Sequence, residues 1–298
     1  MPQSLLFKLT AFVLAALACG AVPAQTNWPQ RPIKVVVAYP AGSTGDNVIR
    51  VLTEDLRHRL GQPIVVDNRA GAGGNIGAST VAQASPDGYT LLLAAANNFA
   101  SNQFLYKDMG FDPLKAFQPV AVLVDVPAVV FINASLPVKN FGEFASYAKA
   151  NVGKLNYGSP GPGTPPHLAA ELINQTAKLG LIHVPYKGSP FTVAALLSNE
   201  VQMILAGSGV GSPHVKAGKL RAIAVGGTAR ISEFPEVPTL NELGLSNVKA
   251  STWWGVAAPK GTPPDVIEKL NRSFNEADRK STRLNSSHIQ KSRMPSSA

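Results

Sequence analysis

One pattern constrains this chain more than any other. Short apolar, β-branched runs end in turns rich in glycine, proline or serine, and each turn opens a helical segment. The pattern recurs as "IKVVVAY" before "VIRVLTEDLRHRL", "PIVVDN" before "ASTVAQA", "LNYGS" before "HLAAELINQT" and "VQMIL" before "PHVKAGKL". Alternating strands and helices predict an α/β chain whose mainly parallel sheets carry helices on their faces. Two sheets are expected. The runs "PVAVLVDVPAVVFIN" and "LRAIAVGGTAR" are the natural crossings between them. The first lobe is then discontinuous, residues 25–125 with 228–279, and the second is 126–227.

The first 24 residues read as an export signal: Lys8 precedes the apolar stretch "LTAFVLAALACGAV", and Val22 and Ala24 suit cleavage before Gln25. A periplasmic protein is expected. Cys19, the single cysteine of the chain, lies inside this leader, and Leu17 sits one place too late for a lipoprotein box, so lipid attachment is the lesser alternative. Cleavage leaves no cysteine for a disulfide, and stability must come from the core.

The formal charge of +9 suggests nucleic acid until its location is checked. Four of the positive charges fall in residues 280–298 and one is Lys8, which leaves +4 for residues 25–279. What remains is interleaved with acids, as in "TEDLRHRL", without the basic run that tracks a phosphate backbone. No nucleic-acid partner is expected.

In such sheets ligands bind beyond the carboxyl ends of the strands, so the turns are where function is sought. The first, "PAGSTGD", spans Gly42, Ser43, Thr44, Gly45 and Asp46 and lacks the Gly-Lys-Ser/Thr of a phosphate loop. Its backbone amides and two hydroxyls at a helix start suit a small anion. The same residues also fit a plain helix cap, with Asp46 paired to Arg50. The second turn, "NRAGAGGNIG", nearly matches a dinucleotide fingerprint, but Ile76 stands where glycine or alanine is required, and close backbone packing explains it equally well. No nicotinamide cofactor, or any other, is expected.

The third turn, "GSPGPGTPPH", offers donors from Ser159, Gly161, Gly163 and Thr164, with Thr164 as a helix cap, Pro165 at the first helical position and His167 in the first turn. A lone histidine there also fits an ordinary surface or cap position. The fourth, "PYKGSP", places Tyr186 and Lys187 beside another helix start, and a solvated lysine is its plainer reading.

Catalytic patterns are missing from the sequence. No two of the five histidines have the spacing of a short metal motif, and "GSGVG" puts Ser208 one place early for a nucleophile elbow. This tilts the balance toward a protein that holds its ligand unchanged, with no catalytic residue and no metal.

The ordered set "KVVVAYPAGSTGD", "LGQPIVVDNRAGAGGNIGASTVAQASPDGYTLLL", "NYGSPGPGTPPHLAAELI", "HVPYKGS" and "PEVPTLNELGL…STWWGVAAPKGTP" resembles the extracytoplasmic solute receptors of tripartite tricarboxylate transporters, the Bug family. The resemblance implies a two-lobed periplasmic-binding-protein fold that closes on a small carboxylate in the interlobe cleft and delivers it, as a monomer, to membrane components of the transporter. It assigns ligand contact to Gly42 through Asp46 and to Gly163 through His167, with Tyr186 and Lys187 nearby and Asn97 to Ser101 in "AANNFASN" reading the far end. A periplasmic sensing subunit for a signalling kinase, or an enzyme on a similar scaffold, are the alternatives. From residue 280 the chain turns polar and serine-rich and departs from the family, so residues 280–298 are read as a non-native or disordered tail.

Overall fold

The computed structural model describes residues 27–284. The expected leader and residues 285–298 of the tail lie outside them. The first lobe is built on β1 (Ile33–Val37), which pairs in parallel with β2 (Ile64–Asn68) and β3 (Thr90–Ala95). The second is built on β5 (Asn156–Ser159), parallel to β6 (Ile182–Pro185) and β7 (Met203–Gly207).

Two long strands change this picture. β4 (Phe117–Asn133) runs antiparallel to β9 (Ser251–Pro259) as far as Pro127, then continues from Ala128 against β7 and β8 (Leu220–Val225). β9 in turn pairs antiparallel with β3. The sheets are therefore mixed. The antiparallel pairings all involve the strands that carry the chain out of one lobe and back, which must run in opposite senses.

The outward crossing lies between Pro127 and Ala128 of β4. Residues 226–250, assigned from sequence to the first lobe from position 228 onward, stay with the second. Phe234 packs edge-on to Phe131 at 6.1 Å, and Leu240, Leu245, Val248 and Ala250 join Val130 and Ile132 in one core cluster. The chain recrosses between Ala250 and Ser251. "Gly226-Gly227" is a tight packing point rather than a crossing, because a β-carbon on Gly226 would stand 2.2 Å from the Ala250 carbonyl oxygen.

Helix α1 (Thr44–Leu60) shows why these segments fold locally as they do. Ser43 caps it, Asp46 lies in its first turn, and Arg57, His58 and Arg59 fill its last, all complementing the helix dipole. Ile49, Leu52, Leu56 and Leu60 form its buried stripe, and Gly61 ends it in the left-handed region. The other helices are α2 (Asn75–Ala82), α3 (Ala96–Phe99), α4 (Phe141–Ala150), α5 (Pro165–Ala177), α6 (Ser189–Leu197), α7 (Ser208–Lys216) and α8 (Pro264–Leu284). α8 buries Val266, Leu270, Phe274 and Ala277 against the first core. It continues to Leu284, past the boundary expected at residue 280. No glycine or proline interrupts this stretch, so a helix already nucleated propagates through it.

Candidate functional site

The first lobe's turn is held by its own acid. Asp46, 2% exposed, accepts hydrogen bonds from the Gly42 N–H at 2.9 Å, from Arg50 Nε at 2.9 Å and from Asn68 Nδ2 at 3.0 Å. Burial alone would raise this carboxyl, but the bonds from Arg50, Gly42 and Asn68 outweigh it and hold Asp46 below its ordinary range. Gly42, at φ +76°, thus spends its amide within the loop. The amides left for a ligand are those of Thr44 and Gly45, the first two residues of α1, which have no acceptor within the helix. Gly45 is required by packing: a β-carbon there would stand 2.2 Å from the Trp254 ring.

Beneath this turn lies a buried amide network. Asn97 Nδ2, Asn98 Nδ2 and Asn102 Nδ2 converge on the Gly73 carbonyl oxygen at 2.8, 3.0 and 3.2 Å, and the Tyr39 hydroxyl donates to Asn97 Oδ1 at 2.8 Å. Asn97 therefore anchors the glycine turn at residues 71–74 and is committed to protein partners.

The second lobe's turn is held by a histidine pair. The Gly163 N–H donates to His167 Nδ1 at 3.2 Å, Ser159 Oγ lies 2.7 Å from His183 Nε2, and the Gly161 N–H donates to Ser159 Oγ at 3.2 Å. The two imidazoles face one another at 4.2 Å. Burial pushes both below the ordinary histidine value; for His183, with the neighbouring His167 adding to burial, the pKa falls to about 4. Thr164 caps α5, and its hydroxyl donates to the Gly161 carbonyl at 2.7 Å.

Four helix starts from the two lobes surround one small cavity of about 30 Å³, the size of roughly one water. Ser43 and Thr44 bring α1 to it, Pro165 and Pro166 bring α5, Ser189 brings α6, and Gly207 brings α7. Tyr39, Thr252 and Trp254 complete the wall, which contains no formally charged side chain. A neighbouring cavity of about 210 Å³ shares Tyr39 and Pro160 with the first and reaches Tyr186 and Lys187. Lys187 is exposed at its edge.

The lobes meet where the second one carries glycine. A β-carbon on Gly188 would stand 2.5 Å from Pro40 Cγ, one on Gly163 would stand 2.4 Å from Leu105 Cδ1, and one on Gly207 would stand 3.0 Å from Thr44 Oγ1.

Of the residues expected at the ligand, Ser43 and Thr44 line the central cavity, and Tyr186 and Lys187 line its neighbour. Gly42, Asp46, Asn97, Ser159, Gly163, Thr164 and His167 serve the frame behind these walls. Sequence reading passed over Tyr39, Ser189, Gly207, Thr252 and Trp254. Ser189 and Gly207 both stand at strand-to-helix turns, the signal that found the other loops. No comparable local signal marks Trp254.

Residues 48–289 match the family described as the tripartite tricarboxylate transporter family receptor. BugT of Bordetella pertussis is 37% identical over 274 residues, 92% of this chain and 84% of that protein. Among solved structures, periplasmic binding protein BugD superposes with a TM-score of 0.82 at 33% identity, covering 88% of this chain and 89% of that one. A Rhodopseudomonas palustris protein with adipate gives 0.80 at 34% identity, covering 83% of each chain. MatC from the same organism, with bound malate, gives 0.79 at 32%, covering 87% and 89%.

Proposed function

The chain belongs to the tripartite tricarboxylate transporter receptor family, and from that premise we propose that it holds one carboxylate of a small metabolite at the ring formed by α1, α5, α6 and α7. Receptors of this family are solute-binding proteins that serve a transporter. The observation that carries the reading is that ring: four helix N-termini, each the positive end of a dipole, converge on a wall without a formal charge. Hydrogen bonds to a charged group contribute about 1.5–3 kcal/mol each, so three or four of them supply most of the roughly 8 kcal/mol of micromolar binding. The adipate and malate of the two similar structures support a dicarboxylate, its second carboxylate lying in the larger cavity beside Tyr186 and Lys187.

The ligand leaves chemically unchanged, and the receptor works as a periplasmic monomer handing it to membrane components. Among the described residues no helix is long and apolar enough to cross a membrane. The central cavity is far smaller than a dicarboxylate, so entry requires the lobes to part about the crossings in β4 and β9.

A thermal-shift panel of mono-, di- and tricarboxylates tests the reading. A ligand at 100 times its dissociation constant adds about 2.7 kcal/mol to stability, and small-angle scattering should show the radius of gyration fall with that ligand. No shift from any carboxylate would overturn the assignment. Amino-terminal sequencing of exported protein should begin at or near Gln25, whereas a lipid on Cys19 would overturn release into the periplasm.

A further inference from the structure

Between α3 and β4 the chain throws a strap across the cleft, residues 101–106 with one 3₁₀ turn at Asn102–Phe104. Its root is fixed in the first lobe, where the fully buried Asn102 donates to the Gly73 carbonyl at 3.2 Å and to Asn75 Oδ1. Its end reaches the second lobe. The Tyr106 hydroxyl donates to the Pro162 carbonyl oxygen at 3.2 Å, and Ser101 Oγ lies 3.5 Å from the carbonyl oxygen of Gly163. Leu105 packs on Gly163 at the same place.

Gly73 makes room for the Tyr106 bond. At φ +62° it lies in the left-handed region, and a β-carbon there would stand 2.7 Å from Tyr106 Oη and 3.4 Å from the Pro162 carbonyl oxygen. The approaches of Gly188 to Pro40 and of Gly207 to Thr44 bring the lobes into packing contact, whereas Tyr106 and Pro162 tie them by a directed hydrogen bond. Burial raises the Tyr106 phenol above its ordinary pKa, so it stays a donor through the neutral range. Tyr106 and Pro162 also line the larger cavity, so the bond is made at the wall of the space proposed for the second carboxylate.

Resting on the carboxylate reading above, we propose that Tyr106 latches the closed receptor: through its bond to Pro162, on a strap rooted at Asn102, it sets how long the bound acid is held. Tyr106 moves with the first lobe and Pro162 with the second, so the bond lasts only while the lobes are together. It therefore stabilises the closed form and leaves the open form, which the acid enters, unchanged. Its effect belongs in the dissociation rate. Tyr106 is a positioning residue here, since its hydroxyl is committed to protein and acts on the lobes rather than on the acid.

The test is stopped-flow kinetics on the full chain with adipate, malate and citrate as probes. Tyr106→Phe, which keeps the ring and removes the hydroxyl, should speed dissociation by about two- to tenfold, the range of one neutral hydrogen bond, and leave association within about twofold. The factor should be the same for every acid that binds, because the hydroxyl meets protein and not ligand. Phe104→Ala, on the same strap but exposed to solvent, should leave both rates unchanged. Unchanged dissociation in Tyr106→Phe would overturn the latch. So would a factor that differs about tenfold between acids, which would make the hydroxyl a ligand contact, and so would equal acceleration in Phe104→Ala, which would assign the effect to the strap's packing. Each of these failures leaves the carboxylate reading standing. Binding of none of the three acids by the wild type would overturn that reading itself, and the latch with it.

Discussion

Gly207 of the second lobe stands so close to Thr44 of the first that an added β-carbon would lie 3.0 Å from the threonine hydroxyl oxygen. The backbone at Gly207, φ −60° and ψ 148°, is one that any residue adopts. The glycine is needed for the meeting of the lobes, not for the chain's own conformation.

Gly207→Val should therefore separate folding from closure. We expect a melting temperature near wild type without ligand and a carboxylate dissociation constant raised about tenfold or more, the cost of overpacking the closed cleft. Unchanged affinity in calorimetry would show that the ligand does not require this contact.

Lys187→Ala tests whether a cation dominates the site. Because the central wall is uncharged and Lys187 sits exposed at the edge of the neighbouring cavity, the loss should be about tenfold or less, and smaller still at high salt. Elimination of binding would make this a lysine-centred site.

Asp46→Asn should act through the loop. The substitution deletes a charge that Arg50 and the Gly42 amide both use, so stability should fall by about 1–3 kcal/mol at neutral pH. Ligand affinity should fall with it, since Thr44 and Gly45 are aimed by this loop. The carboxyl's pKa is depressed, so its contribution is present above its ordinary value of 3.8 and fades as the pH falls below that. Equal melting temperatures for variant and wild type at pH 7 would sink this account.

The histidine pair gives a second pH window. His183 titrates at about 4 in the folded protein against 6.5 when exposed, so the unfolded chain takes up more protons in between. Stability is fully present above pH 6.5 and declines as the pH drops toward 4. Glu171, Tyr157, Ser159 and His167 are the groups around it. In His183→Gln the slope of melting temperature against pH across this window should flatten. An unchanged slope would assign the loss to other groups.

Much of this architecture was legible in the residues. "IKVVVAY" and "VQMIL" announce buried strands because β-branched runs of that length fit little else, and the turns after them are the ones that reach the cleft. The segment 226–250 was not legible. Phe234, Leu240, Leu245 and Val248 are spread among turn residues with no period, and only the folded chain reveals which core they enter. Asp46 illustrates a subtler limit. Its spacing to Arg50 foretold a structural role, while its position in the glycine turn suggested ligand contact, and local sequence cannot rank the two. Trp254 is beyond local reading altogether, since its fit against Gly45 joins positions far apart in the chain.

The absence of formally charged side chains from the central wall has an electrochemical consequence. A dicarboxylate entering such a site meets no group there that can take up a proton in compensation, so the complex carries the full charge of its cargo. Loaded and empty receptors then differ in net charge by that of the ligand, and native electrophoresis at one pH with the ligand present throughout would show the loaded form shifted toward the anode.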